Sequence, residues 1–231
     1  EGRWTTLAAD AEAWRKRLLE LAAQYKANYT FTGVSWSKNT MAGGYFMQFY
    51  EKTYKDATRV ATDYELLTPQ PLCQWRFKDD PEKTGEAAGM AKPEYDDSAW
   101  RSTKVTVETW STLGFHSYFK SMWYRQNYTL PAIPDGKKVY LWIGGTDGSA
   151  KVFINGQHIP FIAQKTLPDK TITREPRDEA NGYCQPFSFD ITPALKPGGG
   201  PVQIAILCTR TFFNELGTGG LLAPVAIYRD K

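Results

Sequence analysis

The sequence predicts a mainly β protein: an antiparallel β-sandwich over residues 69–231, preceded by a two-helix N-terminal segment over residues 1–68. Three observations lead there. Apolar residues recur at helical spacing in two early stretches and at period two after Trp75. The 19 Gly and 14 Pro, with Asn and Asp, divide the later part into short segments, as turn-rich β proteins require. Aromatic residues reach 14%, which suits pleated, half-buried surfaces better than helix bundles.

The first helix is read over Thr6 to Lys26, where Leu7, Ala11, Trp14, Leu18, Leu21 and Tyr25 form one stripe and Thr5 or Thr6 caps the start. Asn28 to Gly44 is polar and glycine-containing and reads as a connection. A second stripe, Phe46, Phe49, Tyr50, Ala57, Val60 and Tyr64, stops before Pro69 and Pro71, which cannot continue a helix. Two such helices need a partner surface, either each other, the β-domain or an upstream domain.

Strands follow. Trp123 to Leu130 is a β-prone run ended by Pro131, and Val139, Leu141 and Ile143 alternate with Tyr140 and Trp142. Val152 and Ile154 alternate with Lys151 and Phe153, and Asn155-Gly156 supplies the two positive-φ positions of a tight hairpin. Phe187, Phe189 and Ile191, then Val202, Ile204 and Ile206, then Ala223, Val225 and Ile227 complete the pattern. Gln164 to Tyr183, with its Pro, Asp, Asn and Gly, reads as an extended loop. Short strands between such turns indicate two antiparallel sheets and not a parallel sheet with crossover helices.

Lys+Arg 28 against Asp+Glu 25 gives a net charge of +3, which implies no nucleic-acid partner. No run approaches the roughly 18 apolar residues of a membrane span, so no membrane partner is expected. The chain opens at Glu1 without Met or a signal-peptide core and reads as a processed chain or an excised piece. Cys73, Cys184 and Cys208 lack Cys-x-x-Cys spacing and a neighbouring His, so no metal site is expected, and Cys208 reads as a small buried side chain.

Glycoside hydrolysis usually needs two carboxylates facing each other across the bond, whereas Asp79-Asp80, Asp96-Asp97 and Asp178-Glu179 are adjacent pairs whose members point to opposite faces of a strand. Asp96 and Ser98 read as turn or cap residues before a buried Trp100. A nucleophilic triad needs a His, and neither His116 nor His158 accompanies a nucleophile elbow. No catalytic residue is assigned.

The later part resembles the sugar-binding jelly-roll domain of glycoside hydrolase family 2, within the galactose-binding-domain-like group. The resemblance is carried, in order, by Trp75-Arg76-Phe77-Lys78-Asp79-Asp80-Pro81, Tyr95-Asp96-Asp97-Ser98-Ala99-Trp100, Trp123-Tyr124-Arg125 with Leu130-Pro131, Val152-Phe153-Ile154-Asn155-Gly156, Phe187-Ser188-Phe189-Asp190-Ile191-Thr192 and Gly219-Gly220-Leu221-Leu222-Ala223-Pro224-Val225. It covers roughly Leu72 to Arg229. It implies a jelly-roll accessory module of a larger carbohydrate-active protein, with the helices as the tail of an upstream domain. The catalytic carboxylates would reside on a neighbouring barrel domain of the same polypeptide. The implied partners are a glycan or oligosaccharide and that catalytic domain, in an extracytoplasmic or secreted setting.

Sugars offer an apolar face to aromatic rings and a rim of hydroxyls to polar side chains. Trp110 to Tyr118, containing His116, has this mixture, and so does Arg210 to Glu215, where the resemblance gives Asn214 and Glu215 a binding role. An aromatic platform from Trp110 or Tyr118 would face Arg210, Asn214 and Glu215, with His116 at the rim, provided both loops emerge at one end. Trp123 reads as core. Arg125 has two readings, a partner for a carboxylate across the sheet or a sugar contact. Asp147, in a strand-to-strand turn, forms the turn or joins the site. No cofactor is expected, with a structural calcium kept open as an alternative, which would need six or more oxygen ligands, more than Asp147 and nearby carbonyls guarantee. Two rivals stay open: a bracing domain without sugar affinity, and an independent glycosidase using a pair such as Glu215 with Asp147.

Overall fold

A computed structural model describes residues 46–105, 108–134, 136–182, 185–211 and 219–231. The helix expected over Thr6 to Lys26 lies outside the described residues. The chain order is a helix (Phe46–Asp63), then β1 (Tyr64–Leu66), β2 (Gln74–Asp80), β3 (Arg101–Lys104), β4 (Ser121–Leu130) and β5 (Val139–Ile143). There follow β6 (Thr146–Asp147), β7 (Ser149–Ile154), β8 (Gln157–Ile159), β9 (Phe161–Thr166) and β10 (Ile172–Arg177). The chain ends with β11 (Ala180–Asn181), β12 (Phe187–Asp190), β13 (Gly200–Thr209), β14 (Gly220–Leu221) and β15 (Val225–Asp230).

The protein is mainly β, and its strand pairings are antiparallel. One sheet has the order β1-β15-β5-β12, and a seven-stranded sheet runs β11-β7-β13-β4-β2-β3 with β8 beside β7. Both sheets feed one apolar cluster. Phe77, Tyr124, Ile154, Val202, Ile204 and Ile206 come from the larger sheet, and Leu141, Ile143, Phe189 and Ile227 from the smaller. The period-two residues read in the sequence meet there, except Ala223, which precedes β15 and stays half-buried.

Each sheet is also covered on its other side, which explains why β4, β7 and β13 are buried on both faces. Against the larger sheet, Met90, Ala91, Tyr95 and Trp100 pack on Trp123, Phe153, Ala205 and Leu207. Asp80 anchors the start of this covering segment: its carboxylate accepts the Thr84 amide at 2.9 Å, the Gly85 amide at 3.0 Å and the Trp123 indole at 3.0 Å. Gly85 has no room for a side chain, since a Cβ would fall 2.3 Å from the Trp123 nitrogen. The Asp96 carboxylate accepts the Ser98 amide at 2.9 Å just before buried Trp100, the turn expected from the sequence; that bond holds the Asp96 carboxyl below its ordinary range.

The smaller sheet is covered by the helix, whose Val60 packs on Trp142, Ala226 and Tyr228 and whose Asp56 accepts the Trp142 indole at 2.8 Å. Tyr64, read as the last member of the helical stripe, instead opens β1, because pairing with Asp230 draws the chain into the sheet ahead of the expected domain start at residue 69. Asn155 and Gly156 adopt φ 50° and 82°, as their hairpin requires. Gln164 to Tyr183 is not an extended loop. β9 and β10 form a hairpin from Phe161↔Arg177 to Ile172↔Thr166, rooted where Phe161 packs on Phe187 and Phe189.

Candidate functional site

The start of β4 and the end of β13 meet at one end of the larger sheet, where Thr209 lies between Ser121 and Ser149. Ser121 Oγ and Thr209 Oγ1 are 2.9 Å apart, and Ser149 Oγ donates to Glu179 Oε2 at 2.8 Å. Beside them β6 pairs with β14, placing Asp147 opposite Gly220. The buried Asp147 carboxylate accepts the Gly219 amide at 2.6 Å and lies 3.6 Å from Arg210 Nε. Arg210 is also buried; its guanidinium covers the Phe119 ring at 4.8 Å and its amide donates to Lys120 O at 3.0 Å.

The segment from Trp110 to Tyr118 reaches the same end. The Trp110 amide donates to Gly219 O and its indole to Tyr124 Oη at 2.7 Å. Tyr118 packs edge-on against Trp110 at 5.4 Å and donates its hydroxyl to Ser121 O at 2.8 Å. Gly219 and Gly220 have φ 72° and 87°, and a Cβ on either would fall within 2.5 Å of Trp110 or Tyr124 atoms. Glycine is therefore needed at both positions for conformation and for space.

Thus Trp110, Tyr118, Asp147 and Arg210 come together, with His116 exposed at the margin. The expected roles change in three places. Trp110 is 1% exposed and belongs to the core, so its ring offers no open platform. Asp147, read in a strand-to-strand turn, is fully buried in the short strand β6 between β5 and β7. Arg125 does not join this end: it sits four residues along β4 from Ser121 and bonds Asp97 at 2.8 Å and the carbonyls of Met90, Lys92 and Tyr95. Asn214 and Glu215 lie outside the described residues.

The half-buried rings at this end are Phe115, Tyr118 and Phe119. Phe119 escaped sequence reasoning, although its place beside Tyr118 and ahead of a strand was a usable signal. Among the described residues no group of three or more His, Cys, Asp or Glu is placed to hold a metal ion. Burial, then neighbouring Asp147 and Glu179, pushes the Cys208 thiol well up, so it is a poor nucleophile.

Burial, with nearby Asp79, raises the Tyr118 hydroxyl to about 12, and burial raises Tyr140 to about 12 and Tyr124 well above its ordinary value of 10.0. The neutral phenols are favoured in the folded state, so their contribution is complete below pH 10 and declines as the pH climbs through the folded values. Urea midpoints should therefore fall between about pH 10 and pH 12 by more than in a Tyr124→Phe, Tyr140→Phe double variant. Equal slopes in the two proteins would contradict this.

No family model matches the chain. It is 28% identical over 154 residues to a β-glucuronidase of Formosa agariphila, covering 61% of this chain and 13% of that protein. It is 31% identical over 119 residues to a β-galactosidase of Thermoanaerobacter pseudethanolicus, covering 49% and 14%. The chain thus spans about one seventh of the length of these relatives. Among solved structures, the Ruminococcus gnavus β-glucuronidase superposes with a TM-score of 0.54 at 20% identity, over 72% of this chain and 29% of that one. The protein is glycosidase-related, and its β-rich fold is shared with part of a glycoside hydrolase.

Proposed function

We propose that this chain is a non-catalytic carbohydrate-binding or accessory domain of a multidomain glycoside-hydrolase-like protein, folded as a jelly-roll sandwich and paired with a catalytic domain of the same polypeptide. The observation that carries the reading is the meeting of the 110–120 segment with Asp147, Arg210 and Gly219 at one end of the larger sheet. There Tyr118 and Phe119 supply ring edges, His116 and Lys120 an exposed polar rim, and Asp147 with Arg210 the buried base. The named relatives support glycan as the ligand class.

A shallow site of this kind gives millimolar affinity, about −4 kcal/mol. Titration of the protein with a panel of β-glucuronides and β-galactosides, followed by NMR, should shift signals of residues 115–120 first. Tyr118→Ala should weaken binding about tenfold through loss of an aromatic contact, whereas His158→Ala, on the β7–β8 hairpin, should leave it unchanged. No shift with any glycan would favour the bracing reading. That second reading has its own support: Trp110, Asp147 and Arg210 are buried and spend their bonds within the protein.

A further inference from the structure

The chain has two Asn-Gly pairs, Asn155-Gly156 and Asn181-Gly182. Asparagine is a heat-labile residue, and a following glycine aggravates this, because without a Cβ its backbone nitrogen can approach the asparagine carboxamide carbon closely. The fold decides whether that approach is made. Asn155 is held at both ends of its carboxamide: Oδ1 accepts the Gln203 amide at 3.0 Å and Nδ2 donates to Ala194 O at 3.0 Å. Lys92 and Pro93 pack over Gly156, where a Cβ would lie 3.3 Å from Pro93 Cδ. The carboxamide cannot turn toward the Gly156 nitrogen without breaking both bonds.

Asn181 is held by neither means. It is exposed at the end of the two-residue strand β11, and its carboxamide makes no hydrogen bond among the described residues. Gly182 follows outside the strand, and its amide has no acceptor there either. The preceding Ala180 is buried, so the alternation of a strand turns Asn181 outward on the side of Glu179. Across the rung stands Ser149, whose hydroxyl donates to Glu179 Oε2 at 2.8 Å.

We infer that Asn181 is a site of hydrolytic deamidation. The Gly182 nitrogen attacks Asn181 Cγ, forming a C–N bond while its proton passes to a base in solution; the Cγ–Nδ2 bond then breaks and ammonia leaves. Water opens the resulting cyclic imide. Opening at Cγ leaves aspartate at position 181, and opening at the main-chain carbonyl leaves isoaspartate, with an additional methylene in the backbone. No electron is transferred: an amide and water become an acid and ammonia. Either product sets a new negative charge beside Glu179, and isoaspartate also displaces the rung to Ser149. The end of β11, and with it the Ser149–Glu179 bond, loosens. The inference does not rest on the carbohydrate reading, which uses none of these residues.

The test is prolonged incubation of the full chain in mildly alkaline buffer, followed by peptide mapping with mass spectrometry. Asn181 should convert at least about tenfold faster than Asn155, which must first break two hydrogen bonds. In denaturant the gap should narrow to a few-fold, since neither carboxamide is then held. Asn181→Gln should suppress conversion at this position, because its longer side chain closes a less favourable ring. Asn181→Asp supplies the charge without the isomer; it should speed amide exchange at Ser149 and Ala180 relative to the β4–β13 pairing, and the aged protein should do so more. Equal rates at the two positions in the folded chain, no conversion at Asn181, or a gap that persists in denaturant would overturn the site. Unchanged exchange in both Asn181→Asp and the aged protein would overturn its effect on β11.

Discussion

Arg125→Ala is expected to cost about 3–5 kcal/mol, because it removes the buried donor that the Asp97 carboxylate and the carbonyls of Met90, Lys92 and Tyr95 share. The Arg125 side chain is 2% exposed, and its ion pair with Asp97 measures 2.8 Å. Its guanidinium also covers the rings of Tyr95 and Trp100 at 5.5 and 5.8 Å. One side chain thus ties the 90–100 segment to the sheet. Urea denaturation would measure the loss, and amide exchange should show residues 90–100 released before the strands. Arg125→Lys should recover only a minor part, since an ammonium cannot present the planar fork that reaches all four acceptors. A loss under about 1 kcal/mol would mean that burial of Met90 and Trp100 alone fastens this layer.

Gly220→Ala is expected to cost about 2–5 kcal/mol, from two additive sources. A left-handed residue with a Cβ pays about 1–2 kcal/mol, and crowding a packed interior adds about 1–3. The added atom would fall 2.2 Å from Tyr124 Oη and 2.4 Å from Trp110 Nε1, across the hydrogen bond that joins them. Gly136 provides the control: its φ is 78° but nothing lies within 4 Å, so Gly136→Ala should pay the backbone term alone. Thermal unfolding and the near-ultraviolet tryptophan signal would separate the two, and equal losses in both variants would remove the packing part of the argument.

The sequence made core strands legible where one face meets the core and the other does not, since such a strand must alternate, as Phe187 and Phe189 do in β12. Asn155-Gly156 was legible because few other residue pairs adopt its backbone angles. The β9–β10 hairpin was not, since a ribbon exposed on both faces carries no apolar alternation: Gln164-Lys165-Thr166 pairs with Ile172-Thr173-Arg174 and none of these is buried. Trp110 misled for another reason. It lies outside any strand, yet two glycines more than 100 residues away leave the space its indole fills. Nothing local announces such a contact. Arg125 carried two readings until the carbonyls of a distant segment were seen to surround it.

The pairing of β1 with β15 sets the order in which this β-domain matures. Tyr64 stands opposite Asp230, and Leu72 bridges to Val225, so its opening and closing stretches lie side by side in one ladder. During synthesis the smaller sheet stays incomplete until β15 leaves the ribosome, and the loop closed by that pairing runs from residue 64 to residue 230. High contact order of this kind slows folding and lengthens the interval in which Trp142 and Tyr228 stand uncovered. The same adjacency suits the fold to circular permutation: joining residue 231 to residue 46 by a linker keeps the helix that covers Trp142 and Tyr228, and opening the chain at the 167–171 turn would bring β15 and β1 close together in sequence.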